Sequence, residues 1–313
     1  MTAEQKRKDD LRIQREYLLR KFGKTIQATR YGRGHINSTW LIRKEKESDE
    51  IVVRFYPPFF KEKLATEVWV LRELNEYGVK VPRLLDVDID GFSTPVLFMS
   101  KLSGTPLINR GKVLKVVATR ELVGELRKLL DVVATIPTSV YGYLHDPVVA
   151  SDIADYARKS SSRYLNTIKG AGLLPRKQIH ILAELFELLQ NRLASREVRL
   201  TYPDLSSGNI LVSEDRFSGL VDWEFLMGFE PLYGFANLIL ELNATSQRWA
   251  APTKILESFP EPEREELVLL AMFRATELLS YLPTTVIFAR SEKERRGRTY
   301  ICALRKFQKL IGR

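Results

Sequence analysis

The chain has 313 residues, 44% of them hydrophobic and 28% charged, with a formal net charge of +10. That is enough for one large domain or two lobes with a sizeable core, and the composition excludes a disordered chain. The single cysteine, Cys302, excludes an intramolecular disulfide and fits a reducing compartment.

His35, His145 and His180 are scattered, so a Cys/His zinc site has no ligand set. No G-x-S-x-G elbow occurs, which leaves an esterase triad without its nucleophile. The opening MTAEQKRKDD has no apolar signal core. No stretch reaches the roughly 18 apolar residues of a membrane helix, so a soluble cytoplasmic protein without a membrane span is expected.

Residues 4–22 carry Leu11, Ile13, Leu18 and Leu19 at weakly amphipathic spacing, and predict a helix ending near Gly23. Gly23-Lys24-Thr25 looks like the tail of a Walker A loop. Leu18 stands in place of its first glycine, and a helix precedes it instead of a strand, so a P-loop is rejected. Three β-like runs follow, Thr25 to Tyr31, Thr39 to Arg43 and Ile51 to Phe55. Between the first two, Gly32 and Gly34 form a G-x-G turn. Such a turn can lay backbone N–H groups over phosphates, or serve as a plain hairpin. A Rossmann site needs a helix after the glycines, and a β-branched strand follows here.

The third run places Arg54 within an apolar strand. It reads either as an edge-strand arginine reaching solvent or as a phosphate clamp. A helix is expected over Lys61 to Tyr77, with Leu64, Val68, Leu71 and Leu74 on one face and Glu67 beside it. A buried Glu67 needs a partner, and Arg54 is the candidate; a solvated Glu67 is the alternative. Strands follow at 84–87 and 95–99, and residues 100–104 read as a polar connector. The expected lobes are therefore 1–100 and 101–313. Helices are predicted near 113–135, 151–166, 176–194, 233–242, 261–282 and 291–311. The last is strongly basic and reads as a solvated face; nucleic acid binding is not expected there.

The stretch Leu200 to Glu224, LTYPDLSSGNILVSEDRFSGLVDWE, interrupts these helices. Asp204 and Asn209 lie five apart across a Ser-Ser-Gly segment, an apolar run follows, and Asp222 ends the next strand. D-x-x-x-x-N followed by a strand-borne Asp is the arrangement of phosphoryl transfer. One carboxylate orients an acceptor hydroxyl, while an amide oxygen and a second carboxylate hold Mg²⁺.

YPDLSSGNILV and LVDWE resemble the catalytic stretch of the aminoglycoside phosphotransferase and choline kinase family, small-molecule kinases with a protein-kinase-like fold. The likeness extends to GRGHINSTW, VVRF, Glu67, GVKVPRLL, VLFMSKLSG and EPLYGFANL, covering roughly residues 28 to 240. It implies an α+β bilobal fold, a small β-rich N-terminal lobe with one helix and a larger helical C-terminal lobe. It implies ATP and Mg²⁺, with Asp204 as catalytic base and Asn209 and Asp222 as metal ligands. Arg54, paired with Glu67, would clamp phosphate. Gly32, Gly34 and Asn37 would belong to the phosphate-covering loop, and Met99, Ser100, Lys101 and Leu102 to the hinge that reads adenine.

Tyr202, Pro203 and Ser206 depart from the family's His, Gly and His, and Arg54 from its usual Lys. Gly234 stands where the family carries an Asp that braces the catalytic loop. Helix is expected to resume about ten residues after Asp222, which leaves little room for a peptide platform and favours a small-molecule hydroxyl acceptor over a protein. The segment near 140–175 and the C-terminal helices are expected to hold that acceptor. They lack the acidic character that a polycationic aminoglycoside would want. A nucleotide-binding scaffold without turnover is the alternative from another class, and a protein kinase a third.

Overall fold

The computed structural model describes residues 3–31, 37–44, 49–109, 120–214, 216–245, 250–285 and 288–312. Gly32, Gly34 and the first turns of the helix expected near 113 lie outside them. The chain divides into two compact units, Met1–Leu102 and Ser103–Arg313.

The first unit opens with helix α1 (Ala3–Phe22). Strands β1 (Ile26–Arg30), β2 (Ser38–Lys44) and β3 (Glu50–Phe55) follow, then helix α2 (Lys61–Glu76) and strands β4 (Leu84–Asp88) and β5 (Val96–Ser100). The strands form one antiparallel sheet in the order β1-β2-β3-β5-β4. β3 is therefore central, so Arg54 is not an edge residue.

Helix α1 lays Tyr17 and Leu18 over Trp40, Ile42, Val53, Phe55 and Phe98 of the sheet. Each such apolar side chain removed from water contributes roughly 1.5–3 kcal/mol. Ile13, expected on the apolar side, is 39% exposed. Tyr17 takes the inner position instead, because its hydroxyl reaches the Asp88 carboxylate while its ring stays in the core. The Gln14 amide oxygen accepts from Trp40 Nε1 at 2.9 Å, satisfying the buried indole. Gly78, at φ +68°, closes α2: its left-handed turn returns the Val79 N–H to the Leu74 carbonyl at 3.0 Å.

The second unit contains strand β6 (Thr105–Pro106), helix α3 (Arg120–Thr135), strands β7 (Tyr141–Tyr143) and β8 (Asp146–Val148), and helices α4 (Ile153–Gly170) and α5 (Arg176–Leu193). Then come β9 (Arg199–Thr201), β10 (Ile210–Ser213), β11 (Arg216–Leu220) and β12 (Met227–Phe229). Helices α6 (Tyr233–Thr245), α7 (Ala250–Glu257), α8 (Glu261–Tyr281) and α9 (Arg290–Leu310) close the chain. From Glu266 to Ala275 every residue of α8 is buried, which marks it as the central helix. It packs on α4, α5, α6 and α9.

Two small sheets complete this unit, β11-β10-β6 and β8-β7-β12-β9. The hairpin β7–β8 and strand β12 go beyond the helices expected from sequence. Each spans three residues, too short to show a period of two. Among the described residues, no helix is long and apolar enough to cross a membrane.

Candidate active site

In the first unit, the central strand and α2 bring Arg54 and Glu67 together. Arg54 Nη1 donates to both Glu67 oxygens, at 3.0 and 2.8 Å. Both side chains are buried, and the Tyr56 hydroxyl also donates to Glu67. A carboxylate this deep needs such partners, so the solvated reading of Glu67 does not hold. Asn37 lies at the entry to β2.

Met99 and Ser100 end β5, paired with Val52 and Ile51. Ser100 N–H donates to the Arg83 carbonyl at 2.9 Å and Lys101 N–H to the Glu50 carbonyl at 3.2 Å. Lys101 also pairs with the Glu50 carboxylate. These backbone groups are committed within the unit, and Leu102 lies just past them outside any strand.

In the second unit, β9 leads through Tyr202-Pro203 into the loop 204–209, and β10 and β11 return the chain to Asp222. Proline at 203 holds Tyr202 extended, so the strand stops without turning helical. The N–H groups of Asn209 and Ile210 both donate to the Ser206 carbonyl, at 3.0 and 3.1 Å, which makes the loop a tight turn. Within it, Asn209 Nδ2 donates to Asp204 Oδ2 and to the Asp204 carbonyl, each at 2.9 Å. Both bonds use the nitrogen, and the amide oxygen accepts no hydrogen bond among the described residues.

Asp222 is tied to this loop through its neighbour. Val221 N–H donates to the Asn209 carbonyl at 3.1 Å, and the Tyr202 hydroxyl donates to the Val221 carbonyl at 2.7 Å. The Tyr202 ring packs on buried Trp223, with centroids 4.5 Å apart, and Trp223 Nε1 donates to the Leu220 carbonyl at 3.1 Å. Asp222 itself is left-handed, at φ 72° and ψ 61°. That conformation costs roughly 1–3 kcal/mol outside glycine and persists only where the surroundings fix it. The bonds on both sides of Asp222 fix it.

Sequence reasoning missed what braces the loop. At Gly234 a Cβ would lie 2.5 Å from the Tyr202 carbonyl oxygen, so no larger residue fits there without a shift. One and two turns further along α6, two other side chains do the bracing. Asn237 Nδ2 donates to the Leu205 carbonyl at 3.1 Å. The Glu241 carboxylate accepts from Ser207 N–H at 2.8 Å and from Ser207 Oγ at 2.6 Å. Burial raises the Glu241 pKa, and the Ser207 bonds oppose that rise. The i, i+3, i+7 spacing of Gly234, Asn237 and Glu241 on one helix face was the available signal.

Behind Asn237 stands a buried ionic cluster. Arg274 Nε donates to Asn237 Oδ1 at 2.9 Å, and Nη1 donates to Glu277 at 2.6 Å and to the Tyr143 hydroxyl at 2.7 Å. Glu277 also accepts from the hydroxyls of Tyr143, Tyr164 and Tyr233, at 3.0, 3.3 and 2.6 Å. Burial raises the pKa of all three phenols.

Asp204 is half-buried and lines a cavity of about 300 Å³, whose wall includes Glu241, Arg274, Arg295, Arg296 and Tyr300. No residue from 140–175 lines it; that segment contributes one layer back, through Tyr143 on Arg274. The Asp204 pKa is raised to about 7, first by desolvation and then by the charge of Asp222, with Arg274 and Asn209 opposing. Two carboxylates that repel one another, with the Asn209 amide oxygen on the same loop, suit a hard divalent cation, which takes oxygen ligands and relieves that repulsion. Among the described residues, no group of three or more His, Cys, Asp or Glu side chains could hold a metal by itself. A site here would rest on Asn209 and Asp222 with oxygens from elsewhere.

A model of the phosphotransferase enzyme family matches residues 27–269. No curated protein matches the chain by sequence. Solved structures do match. A thermostable mutant of aminoglycoside phosphotransferase APH(4)-Ia, in ternary complex with AMP-PNP and hygromycin B, superposes with a TM-score of 0.66 at 16% identity, covering 93% of this chain and 97% of that one. The GDP complex of wild-type aminoglycoside 2'-phosphotransferase-IIIa gives 0.68 at 16%, covering 93% and 96%. The GDP and kanamycin complex of APH(2")-IIIa gives 0.66 at 17%, covering 93% and 96%. These likenesses establish the fold, that of the aminoglycoside kinases, as the sequence resemblance implied.

Proposed function

Because the chain belongs to the phosphotransferase enzyme family, we propose that it moves the γ-phosphate of ATP to a hydroxyl of a small molecule, with Asp204 as the base. The observation that carries this reading is the constellation at the cavity: Asp204 bonded to Asn209, within the field of Asp222, at the wall of a space of about 300 Å³. Nucleotides and aminoglycosides in the neighbouring structures support a nucleotide donor and a small acceptor.

Asn209, through its amide oxygen, and Asp222 are the residues that would hold Mg²⁺. When bound, the ion supplies charge neutralisation to the phosphates. Asp204 orients the acceptor hydroxyl and takes its proton. The acceptor oxygen bonds to the γ-phosphorus as the bond to the bridging oxygen of ADP breaks. The protein's work is mostly positioning, because the transition state is loose. Tyr202, Asn237 and Glu241 hold the loop in that position. In the first unit, Arg54 clamps phosphate, oriented by Glu67 and Tyr56. Gly32, Gly34 and Asn37 cover the phosphates, and the 99–102 segment reads the base. With the N–H groups of Ser100 and Lys101 already bonded, the donor in that reading falls to Leu102.

The scaffold reading rests on Gly234, Tyr202 and the basic C-terminal helix; the bracing of the loop by Asn237 and Glu241 weighs against the first of these. A protein acceptor would need an open platform after Asp222. Residues 227–229 are instead buried in a sheet between β7 and β9. The test is phosphate transfer from ATP across a panel of hydroxyl-bearing metabolites. Asp204→Asn is expected to lower turnover by at least 100-fold. Wild-type turnover in that variant would remove Asp204 from the role of base.

A further inference from the structure

The cavity that holds Asp204 is rimmed by the last helix. Arg295, Arg296, Thr299 and Tyr300 of α9 all line it, as one contiguous stripe. α9 carries eight basic and two acidic residues. Among the described residues, one carboxylate is bonded to the two rim arginines. Arg295 Nε and Nη2 donate to Glu292 at 2.8 and 2.7 Å, and Arg296 Nε donates to the same Glu292 at 2.7 Å. Two positive charges thus share one negative charge, and both terminal nitrogens of Arg296 make no hydrogen bond among the described residues. The Arg296 guanidinium lies over the Phe288 ring, 4.1 Å from its centroid.

The other charges of the cavity are already bonded. Arg274 is paired with Glu277, Glu241 grips Ser207, and Asp204 is bonded to Asn209. Ser207 and Asn209 are neutral partners, so the inner wall keeps its carboxyl groups, and the rim is where an acceptor meets positive charge. A planar fork of guanidinium donors matches the oxygens of a carboxylate or phosphate. It would repel the ammonium groups of a polycationic sugar.

Resting on the function proposed above, we infer that the acceptor is a small hydroxyl compound bearing an anionic group, a carboxylate or phosphate monoester, held by Arg295 and Arg296. The hydroxyl presents to Asp204 while the anion meets the rim. The transfer is as written above: the acceptor oxygen gains the phosphoryl group, ADP leaves, and the hydroxyl proton passes to Asp204.

The experiment ranks kcat/KM with ATP for hydroxy-carboxylates, sugar phosphates, neutral polyols and amino sugars, each class represented by several sizes. The best acceptors are expected to be anionic, and which of the first two classes leads identifies the group. Arg296→Glu is expected to raise the KM for them by about tenfold to a hundredfold, with Arg296→Lys falling between, because it keeps the charge and loses the planar fork. For wild type, the KM for anionic acceptors rises with ionic strength while that for neutral polyols stays level, a readout that needs no variant to fold. A neutral or amino-sugar acceptor that leads the ranking overturns the inference and leaves the kinase reading intact. If no class accepts phosphate, the kinase reading falls and the inference with it.

Discussion

Replacing Gly234 by alanine tests the close approach between α6 and the catalytic loop. In an ordinary helix this change stabilises by up to about 1 kcal/mol, because glycine loses more backbone entropy on folding. Here the added methyl would lie 2.5 Å from the Tyr202 carbonyl oxygen. Real Cβ contacts stay beyond 3.0 Å, so helix and loop must separate by at least half an ångström. The opposing atom is backbone and cannot rotate away. Overpacking of this kind costs roughly 1–3 kcal/mol. It exceeds the helical gain, which is reduced further because Gly234 is only the second residue of α6. A lowered melting temperature, by a few degrees, is expected. Activity should fall further than stability. Tyr202 lies two residues before Asp204 and holds the Val221 carbonyl, and misplacing a catalytic group by about 1 Å costs on the order of 100-fold. The assay is thermal melting beside kcat with ATP. An alanine variant that melts at or above wild type with unchanged kcat would refute the argument. So would a gain of activity in Gly234→Asp, since bracing would then be missing rather than moved along the helix.

Three further outcomes are expected. Glu67→Ala removes the carboxylate facing buried Arg54 and should destabilise by about 3–5 kcal/mol in denaturant melts, whereas Arg54→Met with Glu67→Leu should recover much of that loss without restoring activity. Asp204 has a folded pKa of about 7 without metal, against 3.8 in the unfolded chain, so the base form accumulates as pH rises; with Mg²⁺ bound, kcat/KM should climb along a limb below about pH 7, and a profile flat down to about pH 5 would count against the assignment. The same shift has the opposite sign for stability. A carboxyl whose pKa is raised on folding destabilises the fold as pH rises from about 4 through 7, by at most ~4 kcal/mol and less where cavity water screens it. Asp204→Asn should therefore melt higher than wild type at pH 8 and no higher at pH 4.

The kinase-like fold was legible because its signals are local. Val52 and Val53 before Arg54 mark a strand with an anomalous cation, and Glu67 beside the apolar face of its helix offers a partner; the edge-strand and solvated readings stay open until the strand order and burial close them. D-x-x-x-x-N between two apolar runs is equally local. The bracing of the loop was not read, because Ser207 and Glu241 lie 34 residues apart and no sequence spacing says that one helix end meets one turn. The basic C-terminal helix read as a solvated face for the same reason. Its polar side is regular, and only the tertiary packing of α9 on α8 turns Arg295 and Arg296 toward the cavity. Three-residue strands such as β7 and β12 carry too few side chains to announce themselves.

Glu277 gathers donors from β7, α4, α6 and its own helix at one carboxylate. Four elements are thus pinned to a single, fully buried carboxylate. Loosening any one of them leaves a phenol or a guanidinium unsatisfied, so they should open together or not at all, with amide exchange in α8 among the slowest in the chain. The unit then behaves as a stiff vessel with an adjustable lip. Substitutions on α9 can retune which molecule enters, while the machinery at Asp204, anchored through Asn237 and Arg274 to this stiff base, stays in register.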